Sequence, residues 1–273
     1  MNTNLFDSAK SAISKKNYQM ALDQLTQCLQ DKVYVPNPGE IGQIYHQIGN
    51  CLVHLGNFSE ATNAYTQALA DAMYDNAGTV HYNMGQAYAA LRDQENAILH
   101  FQSAVSDGKY STPYKAYNAM GSAYLKTGRS AEAGVAFRQA ALDDKNPDPS
   151  TSLLNLGVCF MALDRPADSV ASYESALPFD TDSSTKNKIY ANLGQAYVAC
   201  GQMKKAVSAF ESALEDKTYF LSDSAAVDYQ KAIGQVSQGT DEFQPVVVDL
   251  GAQADAEARA DAGLSAGLSL IHI

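Results

Sequence analysis

The side chains best equipped for chemistry in this sequence are four cysteines and five histidines. Imidazoles and thiolates at close spacing hold metals, and a thiolate beside an imidazole attacks carbonyls. The cysteines are Cys28, Cys51, Cys159 and Cys200, with no C-x-x-C pair and no short regular spacing. Neither a zinc ribbon nor a disulfide framework fits, and we expect reduced, buried thiols. The histidines are His46, His54, His81, His100 and His272, without an H-E-x-x-H or a His-x3-His pair. His46 and His54 share one helix but lie about 12 Å apart along it, at about 1.5 Å per residue, too far for one ion. No G-x-x-x-x-G-K-[ST] phosphate loop occurs, and no G-x-G-x-x-G follows a strand. Nor does any spacing pair two carboxylates for acid–base work. We therefore expect no catalytic residue, no cofactor and no metal.

Bulk properties narrow the class further. Thirty acidic against 19 basic residues give a net charge of −11. That balance opposes a general nucleic-acid grip, which needs clustered Lys and Arg, and opposes adhesion to anionic lipid. The start, Met1-Asn2-Thr3-Asn4-Leu5-Phe6-Asp7, has neither a basic n-region nor an apolar h-region. No stretch approaches the roughly 20 apolar residues of a membrane helix. A cytoplasmic, monomeric chain with no nucleic acid and no membrane is the expectation. A length of 273 residues by itself would suggest two domains.

The elements that position these residues follow from an internal repeat. Glycine recurs at Gly49, Gly85, Gly121, Gly157 and Gly194, with spacings of 36, 36, 36 and 37. Each is preceded by an apolar residue (Ile48, Met84, Met120, Leu156, Leu193). Three residues later comes a large apolar one: Leu52, Tyr88, Tyr124, Phe160 and Tyr197. These offsets place all three columns on one helix face. After a short turn, often a glycine (Gly56, Gly128, Gly201), a second stripe follows. Its columns are Ala21, Ala61, Ala97, Ala133, Ser169 and Ala206; then Leu25, Tyr65, Phe101, Phe137, Tyr173 and Phe210; then Cys28, Ala68, Ala104, Ala140, Ala176 and Ala213. The i, i+4, i+7 spacing marks a second amphipathic helix. Small residues let two backbones approach, and the aromatic a turn away fills the gap to the next pair. One such hairpin cannot bury its own stripe, but a stack can.

These residues resemble the tetratricopeptide repeat family. The resemblance covers five full units, about 42–77, 78–113, 114–149, 150–186 and 187–222. A degenerate first unit at 2–35 has Ala9 in the glycine column. Sel1-type repeats share such a period, but their second Gly-rich signature is missing. The fold expected is all-α, a right-handed α-solenoid of six helix pairs over residues 1–236. A capping helix at 223–236 would turn Ala226, Tyr229, Ile233 and Val236 inward and Asp223, Asp228, Gln230, Lys231 and Gln235 outward. Between units an Asp-x-x-Tyr pattern recurs at Asp31–Tyr34, Asp71–Tyr74, Asp107–Tyr110 and Asp216–Tyr219. Its Tyr should pack over the junction while its Asp serves the turn.

In the family the first helices line a concave groove. The resemblance places a peptide-binding face at His46, Asn50, Tyr82, Asn83, Gln86, Lys115, Asn118, Ser122, Asn155, Lys188, Asn192 and Gln195. Amides bond both N–H and C=O of an extended peptide, and Tyr adds contact area at low entropic cost. Tyr88, Tyr124 and Tyr197 are expected in the core instead. Some members grip a C-terminal carboxylate with Lys and Asn from successive first helices. Asn50, Asn83 and Lys115 match three columns of that clamp, whereas His46 and Ala119 stand where basic residues would.

Residues 237–273 lose the periodicity and carry six acidic groups and one basic, a net −5 that leaves −6 on residues 1–236. Rich in Ala, Gly and acid, this tail is expected to be disordered. Its last six residues, Leu268-Ser269-Leu270-Ile271-His272-Ile273, can be encoded by CTG TCT CTT ATA CAC ATC, which resembles a transposase end sequence used in library preparation. We expect a sequencing artefact there, with the natural chain continuing past Gly267. The function expected is a non-enzymatic scaffold or adaptor that binds a protein or peptide. The alternatives are an interaction module of a larger membrane-anchored or secretion-related protein, and the recruiting region of an enzyme.

Overall fold

The computed structural model describes residues 3–30, 37–179 and 181–239. Among them the chain forms thirteen α-helices and no strand. Contacts divide it at Arg129/Ser130 into two compact units. The first holds α1 (Thr3–Ser14), α2 (Tyr18–Gln30), α3 (Glu40–His54), α4 (Phe58–Ala70), α5 (Ala77–Ala90), α6 (Gln94–Ser106) and α7 (Pro113–Lys126). The second holds α8 (Ser130–Leu142), α9 (Ser150–Ala162), α10 (Pro166–Ala176), α11 (Ser183–Ala199), α12 (Met203–Leu214) and α13 (Asp223–Ser237). Within each unit every helix packs on its neighbours in the chain. First helices of successive pairs also touch: α3 with α5 and α5 with α7, then α9 with α11 and α11 with α13. This nearest-neighbour packing is that of an α-solenoid.

The glycine column exists because an aromatic ring occupies the space of its side chain. A Cβ built on Gly85 would lie 2.6 Å from the Phe101 ring, and one on Gly194 would lie 2.7 Å from Phe210. Tyr65 and Tyr173 press on Gly49 and Gly157 in the same way. Leu25, Tyr65, Phe101, Phe137, Tyr173 and Phe210 are at most 1% exposed. Each such side chain is worth about 1.5–3 kcal/mol of hydrophobic stabilisation. Ser169, alone in the alanine column, donates its hydroxyl proton to the Gly157 carbonyl at 2.8 Å, and Ser172 does the same to Leu153 at 2.8 Å. These bonds across the α9/α10 pair offset the cost of burying two hydroxyls.

All six turns inside the pairs end the first helix alike. The Asn57 N–H reaches back to the Leu52 carbonyl and the Gly56 N–H to Val53. Equivalent bonds close the turns at Asn17, Asp93, Arg129, Arg165 and Gln202. This double bond requires a left-handed residue. Glycine supplies it at Gly56, Gly128 and Gly201, while Lys16, Arg92 and Asp164 adopt positive φ in the other three turns.

The Asp-x-x-Tyr junction does more than form a turn. Asp71 accepts from the Met73 N–H at 3.1 Å and, 29 residues back, from the Gly42 N–H at 2.8 Å. Asp107 likewise accepts from Lys109 (3.0 Å) and Gly78 (2.7 Å). The carboxylate thus satisfies an orphan donor at the start of the first helix of its own pair. The tyrosines explain a second glycine pair, because a Cβ on Gly78 would lie 2.7 Å from Tyr110 and one on Gly42 would collide with Tyr74. In the α11/α12 pair Asn187 replaces that glycine, and its side chain donates to Asp216 at 3.1 Å. Asp31–Tyr34 lies outside the described residues.

The last helix departs from expectation. Its buried line is Ala225 and Ala232, with Tyr229, Ile233 and Val236 half-buried, and Ala226 is exposed. Asp228, expected outward, accepts from the Gln195 side chain of α11 at 3.2 Å. The residue shift follows from where α13 meets α11 as well as α12. Residues 240–273, and with them the expected tail and its final hexapeptide, lie outside the described residues.

Candidate functional site

In the first unit, α3 and α5 present side chains to a cavity of about 440 Å³. Its walls include Asn50, Tyr82, Asn83 and Gln86 from the sequence-based set. His54, a further first-helix residue that the resemblance turns toward the groove, lines it too, as do Ile13, Tyr18 and Gln47, which the sequence reading did not single out. Tyr18 and His54 stack with ring centroids 4.1 Å apart and planes 8° apart. Tyr18 and Ile13 come from the degenerate first pair, where Ala9 replaces the register glycine and leaves the facing columns unmarked.

A partly buried polar network backs this wall. The Tyr65 hydroxyl donates to Asn50 Oδ1 at 2.9 Å, and Asn83 Nδ2 donates to the same oxygen at 2.9 Å. Asn83 Nδ2 also lies 3.0 Å from His46 Nε2, while His46 Nδ1 lies 2.7 Å from the Tyr74 hydroxyl. An amide nitrogen can only donate, so Nε2 accepts and the proton of the neutral imidazole sits on Nδ1. Both ring nitrogens of His46 thus have partners within the protein. The residue is 3% exposed, bonded to the junction tyrosine Tyr74, and burial lowers its pKa to about 4. It brings no positive charge to the column where a carboxylate clamp would need one.

The remaining expected residues divide by environment. Lys115 and Ser122 are exposed on α7, and the Ser122 hydroxyl is committed to its own helix through the Asn118 carbonyl at 3.0 Å. In the second unit Lys188 is exposed, Asn155 is half-buried, and Asn192 faces the Tyr173 hydroxyl. Gln195 is engaged by α13 through Ser224 (3.3 Å) and Asp228 (3.2 Å). Tyr124 and Tyr197 are buried, whereas Tyr88 is half-buried against His100.

The thiols are not poised for chemistry. Burial pushes Cys51 up to about 11 and Cys159 up to about 12, which keeps both protonated near neutrality. Among the described residues no group of three or more His, Cys, Asp and Glu side chains gathers to hold an ion. No described helix is long and apolar enough to cross a membrane.

Comparison with known proteins accounts for this architecture. Tetratricopeptide repeat models match residues 47–112 and 118–184, and a further one matches 188–215. Helix pairs at a 36-residue period, interlocked by glycine and aromatic columns, define an α-solenoid interaction module. The chain belongs to the tetratricopeptide repeat family, whose repeats serve as protein–protein interaction modules. No curated protein matches it. Among solved structures it is similar to the C-terminal part of a TPR repeat-containing protein from Cytophaga hutchinsonii. That match has a TM-score of 0.65 and 15% identity over 96% of each chain. It is also similar to MamA, with a TM-score of 0.56 and 24% identity over 67% of this chain and 98% of that one. PilW, a type IV pilus biogenesis factor, aligns with a TM-score of 0.56 and 16% identity over 85% of this chain and 97% of that one.

Proposed function

We propose that this protein is a non-enzymatic scaffold that holds an extended peptide segment of a partner protein against α3 and α5. The observation that carries the reading is the 440 Å³ cavity with its amide-lined wall. Asn50 Oδ1 and Asn83 Nδ2 are tied into the buried network, which fixes how both amides are turned. The Asn50 amide nitrogen and Asn83 amide oxygen then offer one donor and one acceptor, the complement of a peptide C=O and N–H. Tyr82 and the Tyr18–His54 stack supply rigid aromatic area for a side chain of the ligand.

The test is selection of binders from a random peptide display library, followed by affinities of the selected peptides for variants. Tyr82→Ala and Asn83→Ala should each weaken binding by about 1–2 kcal/mol, the scale of an interface anchor. Gln139→Ala, exposed on α8 in the other unit, should leave it unchanged. Peptides whose affinity is indifferent to both first-unit changes would overturn the reading.

A further inference from the structure

A second cluster lies on the α5/α6 hairpin, apart from the cavity. His81 Nδ1 and His100 Nδ1 are 3.0 Å apart, and the two rings are inclined by only 24°. Their centroids are 5.3 Å apart, which is the nitrogen separation plus about one ring radius on each side. The rings therefore sit edge to edge with their Nδ1 atoms facing. One Nδ1 carries a proton and the other accepts it. Tyr88 lies parallel to His100, its centroid 5.3 Å away and its plane within 4°. Asp107 adds a negative charge toward His81. Both imidazoles are half-buried, so one side of the pair stays open to solvent.

We infer that His81 and His100 form a two-imidazole chelate for a late first-row transition-metal cation, with copper(II) bound most tightly. Imidazole suits copper, nickel and zinc, and the affinity of nitrogen sites for divalent ions rises to copper and falls at zinc. Two nitrogens about 2.0–2.1 Å from one ion and at right angles around it are about 3 Å apart, which is the separation already present. Each ring must turn by roughly 45° in its own plane, so that both lone pairs converge on an ion beside the line that joins the nitrogens. The proton now shared between the two Nδ1 atoms moves through solvent to Nε2 of its own ring. Both ligands are then neutral imidazoles with Nε2–H, and no net proton is released. Burial lowers the pKa of both histidines, so protons compete little with the metal at neutral pH. Water completes the coordination sphere. A bound ion would tie α5 to α6 and stabilise the hairpin over its unfolded form.

The test is titration of the full chain with copper(II) chloride in a non-coordinating buffer at pH 7. It is followed by calorimetry, thermal melting and pulsed electron paramagnetic resonance. One equivalent should bind, raise the melting temperature, and give the spectroscopic signature of two imidazole ligands. Nickel(II) and zinc(II) should bind more weakly at the same site. His81→Gln and His100→Gln should each weaken copper binding about a hundredfold, the low end of what tethering a second ligand contributes. The resonance signature is read on the unaltered protein, so the test survives if a variant folds poorly. A signature of one imidazole or none, or full affinity in either variant, would overturn the assignment.

Discussion

At the scale of the residue, His46 sets a pH dependence of its own. Folded, it stays neutral down to about pH 4, because burial opposes the charge. Unfolded, it takes up a proton below about pH 6.5. The unfolded state therefore binds more protons in between, and stability falls as the pH drops from about 6.5 toward about 4. The loss from His46 amounts to about 3 kcal/mol. Urea melts across this window should show it, and His46→Gln should flatten most of the slope. His81 and His100 shift in the same direction and leave a residual slope. An unchanged slope in the variant would remove His46 as the cause. This residue also marks the limit of what the sequence reveals. On α3, Asn50 borders the cavity while His46, one turn earlier, is buried. What spacing cannot supply is Tyr74, 28 residues on, which enters from a junction loop and claims the imidazole as a partner. Column logic reads one helix at a time, and side chains that arrive from loops have no period. Asn50 and Asn83 do line the cavity of the first unit, but their tie to Tyr65 and His46 leaves no mark in the repeat pattern.

At the scale of the element, the glycine column was the clearest signal in the chain. It recurs at a fixed distance, and its cause is a ring on the very next helix. Gly85→Ala should destabilise the protein: overpacking against Phe101 costs about 1–3 kcal/mol, only partly offset by a gain of about 1 kcal/mol in helix propensity. Gly134→Ala is the opposite case. A Cβ there meets the Cys159 and Leu156 side chains at 3.6 Å, an ordinary contact, so it should stabilise by up to about 1 kcal/mol. Chemical denaturation of the two variants checks both signs, and equal effects would mean that ring contact is not what selects glycine. The second glycine pair, Gly42 and Gly78, escaped the sequence reading because only two units carry it: Tyr114 and Ser150 hold the position next, and Asn187 fills the role with an amide. The register of α13 escaped for a related reason. With one copy of the helix there is no column to read, and its contact with α11 as well as α12 sets which alanines are buried.

At the scale of the whole molecule, the chain divides at Arg129/Ser130 into two compact units, and within each the contacts run between neighbours. The Asp71–Gly42 and Asp107–Gly78 bonds both close inside one helix pair rather than between pairs. Each carboxylate returns to the helix that begins its own 36-residue segment. A pair so fastened carries its own clasp, and copying it changes side-chain partners only at the seam between the copies, where Asn83 would meet Tyr82 and Gln86 instead of His46 and Asn50. A gene in which the codons for 78–113 are duplicated should give a folded chain with one extra helix pair, helical ellipticity rising in proportion, and cooperative melting retained. Loss of folding in that longer chain would show that the pairs depend on their particular neighbours. If it folds, the length of this array is a quantity that duplication can change in whole steps, with the aspartate as the clasp that travels with every copy.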